Sequence, residues 1–397
     1  MDGDISNDPR GIGTVAGILL DYAERGTTFQ TDHIATVPAR SFTDPDQWQR
    51  EMATIFTQVP LMLAMSAEIR EKRSYKAMEV MGKPVILTRD GEGQVHAFLN
   101  VCTHRGTPIM AEGCGSAARL TCPYHAWSFG LDGKLLSVSS SESFGVIDKV
   151  TRGLTRLPCV ERAGMVFVVL TPGAPLDIDG YYGGLLADFE AADFANWAYL
   201  GFRVIEGANW KIAFDGYLEG YHFAALHPQT IHPRTYSNLT HYEAFGPNLR
   251  IGFAQKTIAE KLAAVPRASW GEQENNGFDF VRILFPNVSV FLAPEIAQIA
   301  QLFPGPTPDK NRTILLYARR EPPRDEEDRA SLDGMINFLR DVTHDEDYVL
   351  GTTIQKGLES GALDSIILGK NERGNQYFHE WVDWYVKGDA AAPKPRL

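Results

Sequence analysis

Two short pairs of metal-binding side chains stand in the first half of the chain: Cys102-Thr-His104 and, 17 residues further on, Cys122-Pro-Tyr-His125. Each pair puts one thiol and one imidazole on a single loop, so two loops supply two of each. Thiolates satisfy one iron of a [2Fe-2S] cluster, and imidazoles on the other iron raise its reduction potential far above that of an all-cysteine site. A structural zinc site is the competing chemistry, but zinc sites of Cys2His2 type favour Cys pairs and His pairs, whereas each loop here mixes them. Two cysteines remain. Cys159, in Leu157-Pro-Cys-Val160, reads as a small buried hydrophobe, and Cys114 sits between glycines with nothing to make it a ligand.

A second constellation lies between Asn209 and Pro228. On a helix over about 209–226, Asp215, Glu219 and His222 fall at i, i+4 and i+7 and share one face. His227 would be rotated by about 140° from His222 on an ideal helix. Pro228 pushes the residue before it away from α geometry, so the helix is expected to end there and let His227 curl back. Two imidazoles and one carboxylate make a facial triad that holds Fe(II) with positions open for O2 and substrate. The acidic run Asp345-Glu-Asp347 supplies the candidates, at the start of an expected helix to Glu359. Asp347 shares a face with Leu350, Gly351, Ile354 and Leu358, and a buried acid needs a partner such as a metal. Asp345 and Glu346 stay open as alternatives, and acidity at a helix N-terminus also has an ordinary macrodipole explanation.

The elements that must position these residues divide the chain in three. Residues 1–56 read as an arm packed on something larger, with a helix from Asp44 to about Phe56 begun by Thr43-Asp-Pro-Asp. Residues 57–172 carry short β-rich runs (77–81, 84–88, 95–99, 119–121 and 165–170) with turns at Asp90 to Gly93 and Asp132-Gly133, an all-β domain. After Thr171 to Pro175, which reads as a hinge, residues 173–397 form an α+β domain. Helices are expected at about 209–226, 326–342 and 345–359, and strands at 278–284, 288–292, 296–303 and 312–317.

Bulk properties narrow the function classes. The 397 residues imply about two or three domains. The 38 basic and 50 acidic residues give a net charge of −12, which argues against nucleic acid and anionic membrane as partners. Apolar runs fall far short of the roughly 20 residues that span a bilayer. The opening Met-Asp-Gly-Asp is acidic where a signal peptide would be basic, so a cytoplasmic protein is expected. Nothing of the GxGxxG kind is visible, so electrons must come from a separate donor.

The segments Asn100-Val-Cys-Thr-His-Arg-Gly106 and Leu120-Thr-Cys-Pro-Tyr-His-Ala-Trp127, followed by Asp132-Gly133, resemble the Rieske domain of the aromatic ring-hydroxylating oxygenase α subunits. The resemblance covers roughly residues 40–385. It implies a small all-β Rieske [2Fe-2S] domain, with Cys102, His104, Cys122 and His125 as ligands. It also implies a catalytic domain whose antiparallel sheet is flanked by helices in a helix-grip-like arrangement. In such proteins an acid precedes the first iron histidine by three positions and an Asp in a late helix completes the triad. Those positions here are Glu219, His222, His227 and Asp347. Glu219 stands where Asp is commoner, and Asp215 stands near a position often filled by Asn, as an acceptor behind the ligands or as a helix-face residue. The resemblance further implies a homotrimer, with or without β subunits, in which Glu219 links His222 to a neighbouring subunit's His125. NAD(P)H would supply electrons through a ferredoxin or reductase.

Phe202, Phe214, Tyr217, Phe223, Leu226, Phe253, Phe280, Leu284, Phe285, Phe291 and Leu292 are the apolar residues available to build a pocket. They favour an apolar, aromatic substrate that would be hydroxylated, cis-dihydroxylated or oxidatively dealkylated. Two alternatives stand beside this one. The first is a quaternary ammonium substrate in an aromatic cage. The second is a Rieske electron carrier whose C-terminal part is only structural.

Overall fold

The structure is a computed structural model that describes residues 10–271, 276–294, 296–389 and 391–397. The acidic opening Met1 to Asp4 lies outside the described residues. The chain folds as α+β and divides into two compact units: Phe56–Ile178 with Asp193–Asn196, and Met1–Ile55, Asp179–Ala192 and Trp197–Leu397.

The smaller unit is mainly antiparallel strand. One sheet has the order Arg156–Leu157, Val95–Leu99, Lys83–Arg89, Ser74–Val80, Gly113–Ser116, and two three-stranded sheets accompany it. The Asp90 carboxylate accepts the N–H groups of Glu92 and Gln94, both at 2.9 Å, and so closes the turn into Val95–Leu99. The core packs Ile86, Phe98, Leu120, Trp127 and Phe129 together with Cys102 and Cys122.

In the larger unit seven antiparallel strands run, edge to edge, Ala198–Gly207, Asn311–Arg319, Ala297–Pro304, Val288–Leu292, Phe278–Leu284, Asn248–Gln255, Thr235–Phe245. Strand alternation assigns the two faces. Ala254, Phe278 and Phe280 point to one side, where helix Ile12–Arg25 covers them with Ile12, Val15, Ala16 and Leu19. Gly252 permits this approach, because a Cβ there would meet Leu19 and Val15 at 3.1 Å. Phe253, Gln255, Asp279 and Val281 point to the other side.

Three expected helices differ from the observed ones. Helix Pro45–Glu51 starts at Asp44, whose side chain accepts from Asp46 N at 2.8 Å, but continues as a π-helix over Met52–Phe56. The helix over 209–226 is not continuous: α structure covers only Trp210–Asp215 and Phe223–Leu226. Gly216 and Gly220 lie in the break, where the loss of backbone entropy makes glycine a poor helix former. Nor does the acidic run begin a helix. Helix Glu326–Asp341 passes through a π-helical segment Val342–Tyr348 directly into helix Val349–Glu359. The dipole explanation for those acids therefore falls away.

The start of the 209–226 segment is anchored from below. Glu51 and Lys211 are fully buried and pair at 2.5 Å, and Trp210 Nε1 donates to the same carboxylate at 2.9 Å. Asn209 caps the helix through Lys211 N at 2.9 Å, and its amide donates to the carbonyls of Phe42 and Pro308.

Candidate metal centres

The two Cys-His loops of the smaller unit are built alike. Cys102 N donates to Thr107 O and Gly106 N to Cys102 O, both at 2.9 Å; Cys122 N donates to Trp127 O at 2.8 Å and Ala126 N to Cys122 O at 3.0 Å. The fourth residue after each cysteine has a positive φ, 86° at Gly106 and 58° at Ala126. Asn100 braces the first loop by accepting from Ile109 N and Met110 N and donating to Met110 O. Both cysteines are buried, and the Cys102 thiol is held above its usual pKa by burial and by the neighbouring thiol of Cys122. The rings of His104 and His125 lie 4.7 Å apart, and Trp127 stacks on His104 at 4.8 Å. His125 Nδ1 is buried without a hydrogen-bond partner. Two adjacent buried thiols, two adjacent imidazoles and an orphan ring nitrogen fit a [2Fe-2S] cluster, with a pair of like donors for each iron.

In the larger unit, donor atoms of His222, His227 and Asp347 lie within 4.8 Å of one another. The break at Gly216 to Gly220 and the short helix Phe223–Leu226 bring the histidines together. The chain leaves α geometry at His227 (φ −113°, ψ 45°), directly before Pro228. Asp347 Oδ1 stands 3.0 Å from His227 Nε2 and 3.7 Å from His222 Nε2. Behind the rings, His222 Nδ1 meets Glu219 and His227 Nδ1 meets Glu346. An Nδ1–H donated to a carboxylate leaves the Nε2 lone pair for a metal. Both Nε2 atoms and the Asp347 carboxylate therefore suit one Fe(II). Burial alone would lower the His227 pKa, but the hydrogen bonds and charges of Asp347 and Glu346 raise it above the ordinary histidine value.

The other acids have separate employment. Asp345 pairs with exposed His344 at 2.6 Å. Glu346 bonds His227 and also accepts from Thr230 Oγ1 at 2.7 Å, so it stands behind a ligand and not among the donors. Asp215 lies apart from the three donors, bound to His379 Nε2 and Asn375 Nδ2 at 3.1 Å. The sequence pattern missed the role of Glu346; its place beside Asp347 was the available signal.

A cavity of about 520 Å3 opens beside the three donors. Its wall is the sheet face bearing Phe253, Gln255, Asp279, Val281, Ser289, Phe291, Gln298 and Ala300, and the late helix closes it with Phe338, Leu339, Val342 and Thr343. Of the expected pocket residues, Tyr217, Phe223, Phe253 and Phe291 line it. Leu226 lines a second cavity of about 300 Å3 that also reaches Asp215, Glu219, His222 and Asp347. Phe214, Phe280, Leu284, Phe285 and Leu292 belong to the core, and Phe202 is exposed. Leu350 and Ile354, expected to face inward with Asp347, are 43% and 44% exposed. They border the second cavity.

Residues 59–152 match the family described as Rieske [2Fe-2S] domain, and residues 194–388 match Ring hydroxylating alpha subunit (catalytic domain). The chain is 29% identical over 364 residues to the carnitine monooxygenase oxygenase subunit of Escherichia coli (strain K12), covering 87% of this chain and 92% of the relative. It is 33% identical over 201 residues to a glycine betaine monooxygenase oxygenase subunit of Pseudomonas aeruginosa, 50% of this chain and 46% of that one. The fold matches a quaternary ammonium Rieske monooxygenase crystallised with L-carnitine (TM-score 0.75, 22% identity, 88% of this chain and 95% of that chain). It also matches naphthalene 1,2-dioxygenase from Rhodococcus sp. bound to indole (TM-score 0.74, 19% identity, 98% and 100%).

Proposed function

Because the chain belongs to the Rieske non-haem iron oxygenases, as a terminal oxygenase α subunit with one [2Fe-2S] cluster and one mononuclear iron, we propose that it oxygenates a quaternary ammonium compound. The family match over residues 194–388 sets aside the simple electron carrier. The relatives, two of them carnitine and glycine betaine oxygenases, favour the ammonium alternative over the apolar aromatic substrate first expected. The observation that carries this reading is aromatic packing directly at the metal donors. Phe223 lies edge-on to His222 at 4.9 Å and 5.9 Å from His227, and Phe253 lies 5.6 Å from Phe223. Tyr217, Phe291 and Phe338 line the same cavity. Aromatic faces attract a quaternary ammonium, which has no N–H to satisfy.

In this reading His222, His227 and Asp347 hold Fe(II), and Cys102, His104, Cys122 and His125 hold the cluster. Bound iron supplies the activation of O2, with electrons from NAD(P)H delivered by a separate reductase or ferredoxin. Glu219 and Glu346 fix the tautomer and orientation of the imidazoles, while the aromatic walls exclude water and place the substrate. Glu219 also borders a surface where Tyr221, Leu350, Ile354 and Ile367 expose apolar area. This supports a homotrimer in which a second copy covers that surface and Glu219 reaches the copy's His125. Sedimentation showing only monomers at working concentration would remove the trimer.

The test of substrate class is O2-dependent product analysis with a surrogate reductase. Carnitine, glycine betaine and choline would be compared with naphthalene and indole. Oxidation of a trimethylammonium compound supports the reading; oxidation of the arenes alone sinks it.

A further inference from the structure

The cavity is not uniform along its length. Its inner end holds Phe223 against the metal donors, with Phe253 packed on Phe223. Two residues further along the same strand as Phe253, roughly 7 Å on, Gln255 begins a polar end with Thr235, Arg234 and Lys261, and the side chain of Asp279, level with Phe253 on the next strand, reaches to it. Three contacts root this end. Arg234 O accepts from Lys256 N at 2.8 Å, which fixes Arg234 beside the outer end of strand Asn248–Gln255. Gln255 Nε2 donates to Asp279 Oδ2 at 2.7 Å, and Lys261 Nζ donates to Gln255 Oε1 at 3.4 Å. Among the described residues the Arg234 guanidinium, at the exposed rim, has no hydrogen-bond or ion-pair partner.

Among the described residues, two cations and one carboxylate give this end a net charge of +1 in a chain whose net charge is −12. At the inner end the carboxylates of Glu219 and Asp347 offset the charge of a bound Fe(II), so that end carries no such excess of positive charge. A simple cation would gain nothing from Arg234 and Lys261, and a neutral arene would use the aromatic inner end but gain nothing from the two cations. A molecule with an anionic group at one end and an apolar or cationic group at the other matches both.

We propose that Arg234 and Lys261 form an anion-binding subsite and that the substrate carries a carboxylate, held there while its other end lies at the metal donors. The subsite rests on reading this cavity as the substrate site. It narrows the quaternary ammonium class to zwitterionic members and would equally select an aromatic acid over an arene. A bidentate guanidinium fixes the orientation of a carboxylate as well as its affinity.

Calorimetric binding to the anaerobic holoenzyme tests this with matched pairs: γ-butyrobetaine and its methyl ester, phenylacetate and its methyl ester. Loss of a hydrogen bond to a charged group predicts that at least one acid binds roughly ten- to a hundredfold tighter than its ester. The R234Q/K261Q double variant is expected to bring that acid down to the level of its ester without weakening ester binding. Preference in the ammonium pair supports both the subsite and the ammonium reading; preference only in the aromatic pair upholds the subsite and overturns the ammonium reading. Esters binding as tightly as their acids, no saturable binding of any acid, or an acid preference that survives the double variant overturns the subsite.

Discussion

Glu346 offers the sharpest test of how the mononuclear site is held. The His227 side chain is 1% exposed, its Nδ1 meets Glu346 Oε2, and the same oxygen accepts from Thr230 Oγ1 at 2.7 Å. Glu346→Ala leaves a buried N–H and a hydroxyl without their acceptor, at a cost of about 1.5–3 kcal/mol for a charge-assisted bond. Loss of such an outer carboxylate typically weakens metal binding by about 10- to 100-fold, the same range of energy. Glu346→Gln keeps an acceptor oxygen and loses the charge, so it should fall near the tenfold end. Asp347→Ala removes a donor atom and should leave the site empty at any practical Fe(II) concentration. The assay is anaerobic Fe(II) titration against a competing chelator, with the visible spectrum of the cluster as an internal control. The expected order of affinity is native chain, Gln, Ala, then a large gap to Asp347→Ala. Native affinity in Glu346→Ala would refute the outer role, and an empty site there would make Glu346 a donor.

Glu219→Gln should retain both metals by iron analysis and lose roughly 10- to 100-fold in coupled product formation; unchanged product per NAD(P)H would count against its coupling role. Glu51→Ala strands the buried Lys211 ammonium and should cost about 3–5 kcal/mol in chemical unfolding, most of it recovered by a Glu51→Met/Lys211→Met double replacement. His241 packs between Tyr22 and Phe29, and burial, with the charge of Arg250, holds its pKa down at about 4 against an ordinary 6.5. The folded state therefore keeps this imidazole neutral. Its stabilising contribution is complete above pH 6.5 and is lost as pH falls toward 4, to a limit of roughly 3 kcal/mol. His241→Phe should flatten the acid side of a urea-midpoint profile between pH 7 and 4.5, and an unaltered slope would exclude His241 as its source.

Much of the site was legible because metal chemistry constrains side-chain type and spacing together. The Cys-x-His and Cys-x-x-His pairs and the histidines before Pro228 needed little else. Element boundaries were legible where alternation was strong, as in Val288–Leu292 and Phe278–Leu284. The helix Ile12–Arg25 lies in the stretch read only as an arm: Ile12, Val15, Ala16 and Leu19 have helical spacing, but Gly11 at its start gives no side-chain cap signal. Strand Asn248–Gln255 was missed for another reason. Seven of its eight residues are buried, including Asn248 and Arg250, so burial on both faces erases the alternation that marks a strand. The pocket list was right only for Tyr217, Phe223, Phe253 and Phe291 in the main cavity and Leu226 in the second, because apolar residues on adjacent strand positions look equivalent in sequence. Phe280 and Val281 nevertheless face opposite sides, and only the register decides which reaches the cavity.

The π-helical segment Val342–Tyr348 has a consequence for how such a site can change. A wide turn of this kind amounts to one residue inserted into an otherwise regular helix. Removing it would turn everything on one side by about 100° relative to the other. The flanking helices Glu326–Asp341 and Val349–Glu359 would each have to choose between keeping its packing and keeping its phase with Glu346 and Asp347. A single-residue deletion here is therefore a far more severe lesion than any conservative substitution in the same stretch. A single insertion or deletion thus separates a helix that merely covers the sheet from one that presents two acids to two histidines.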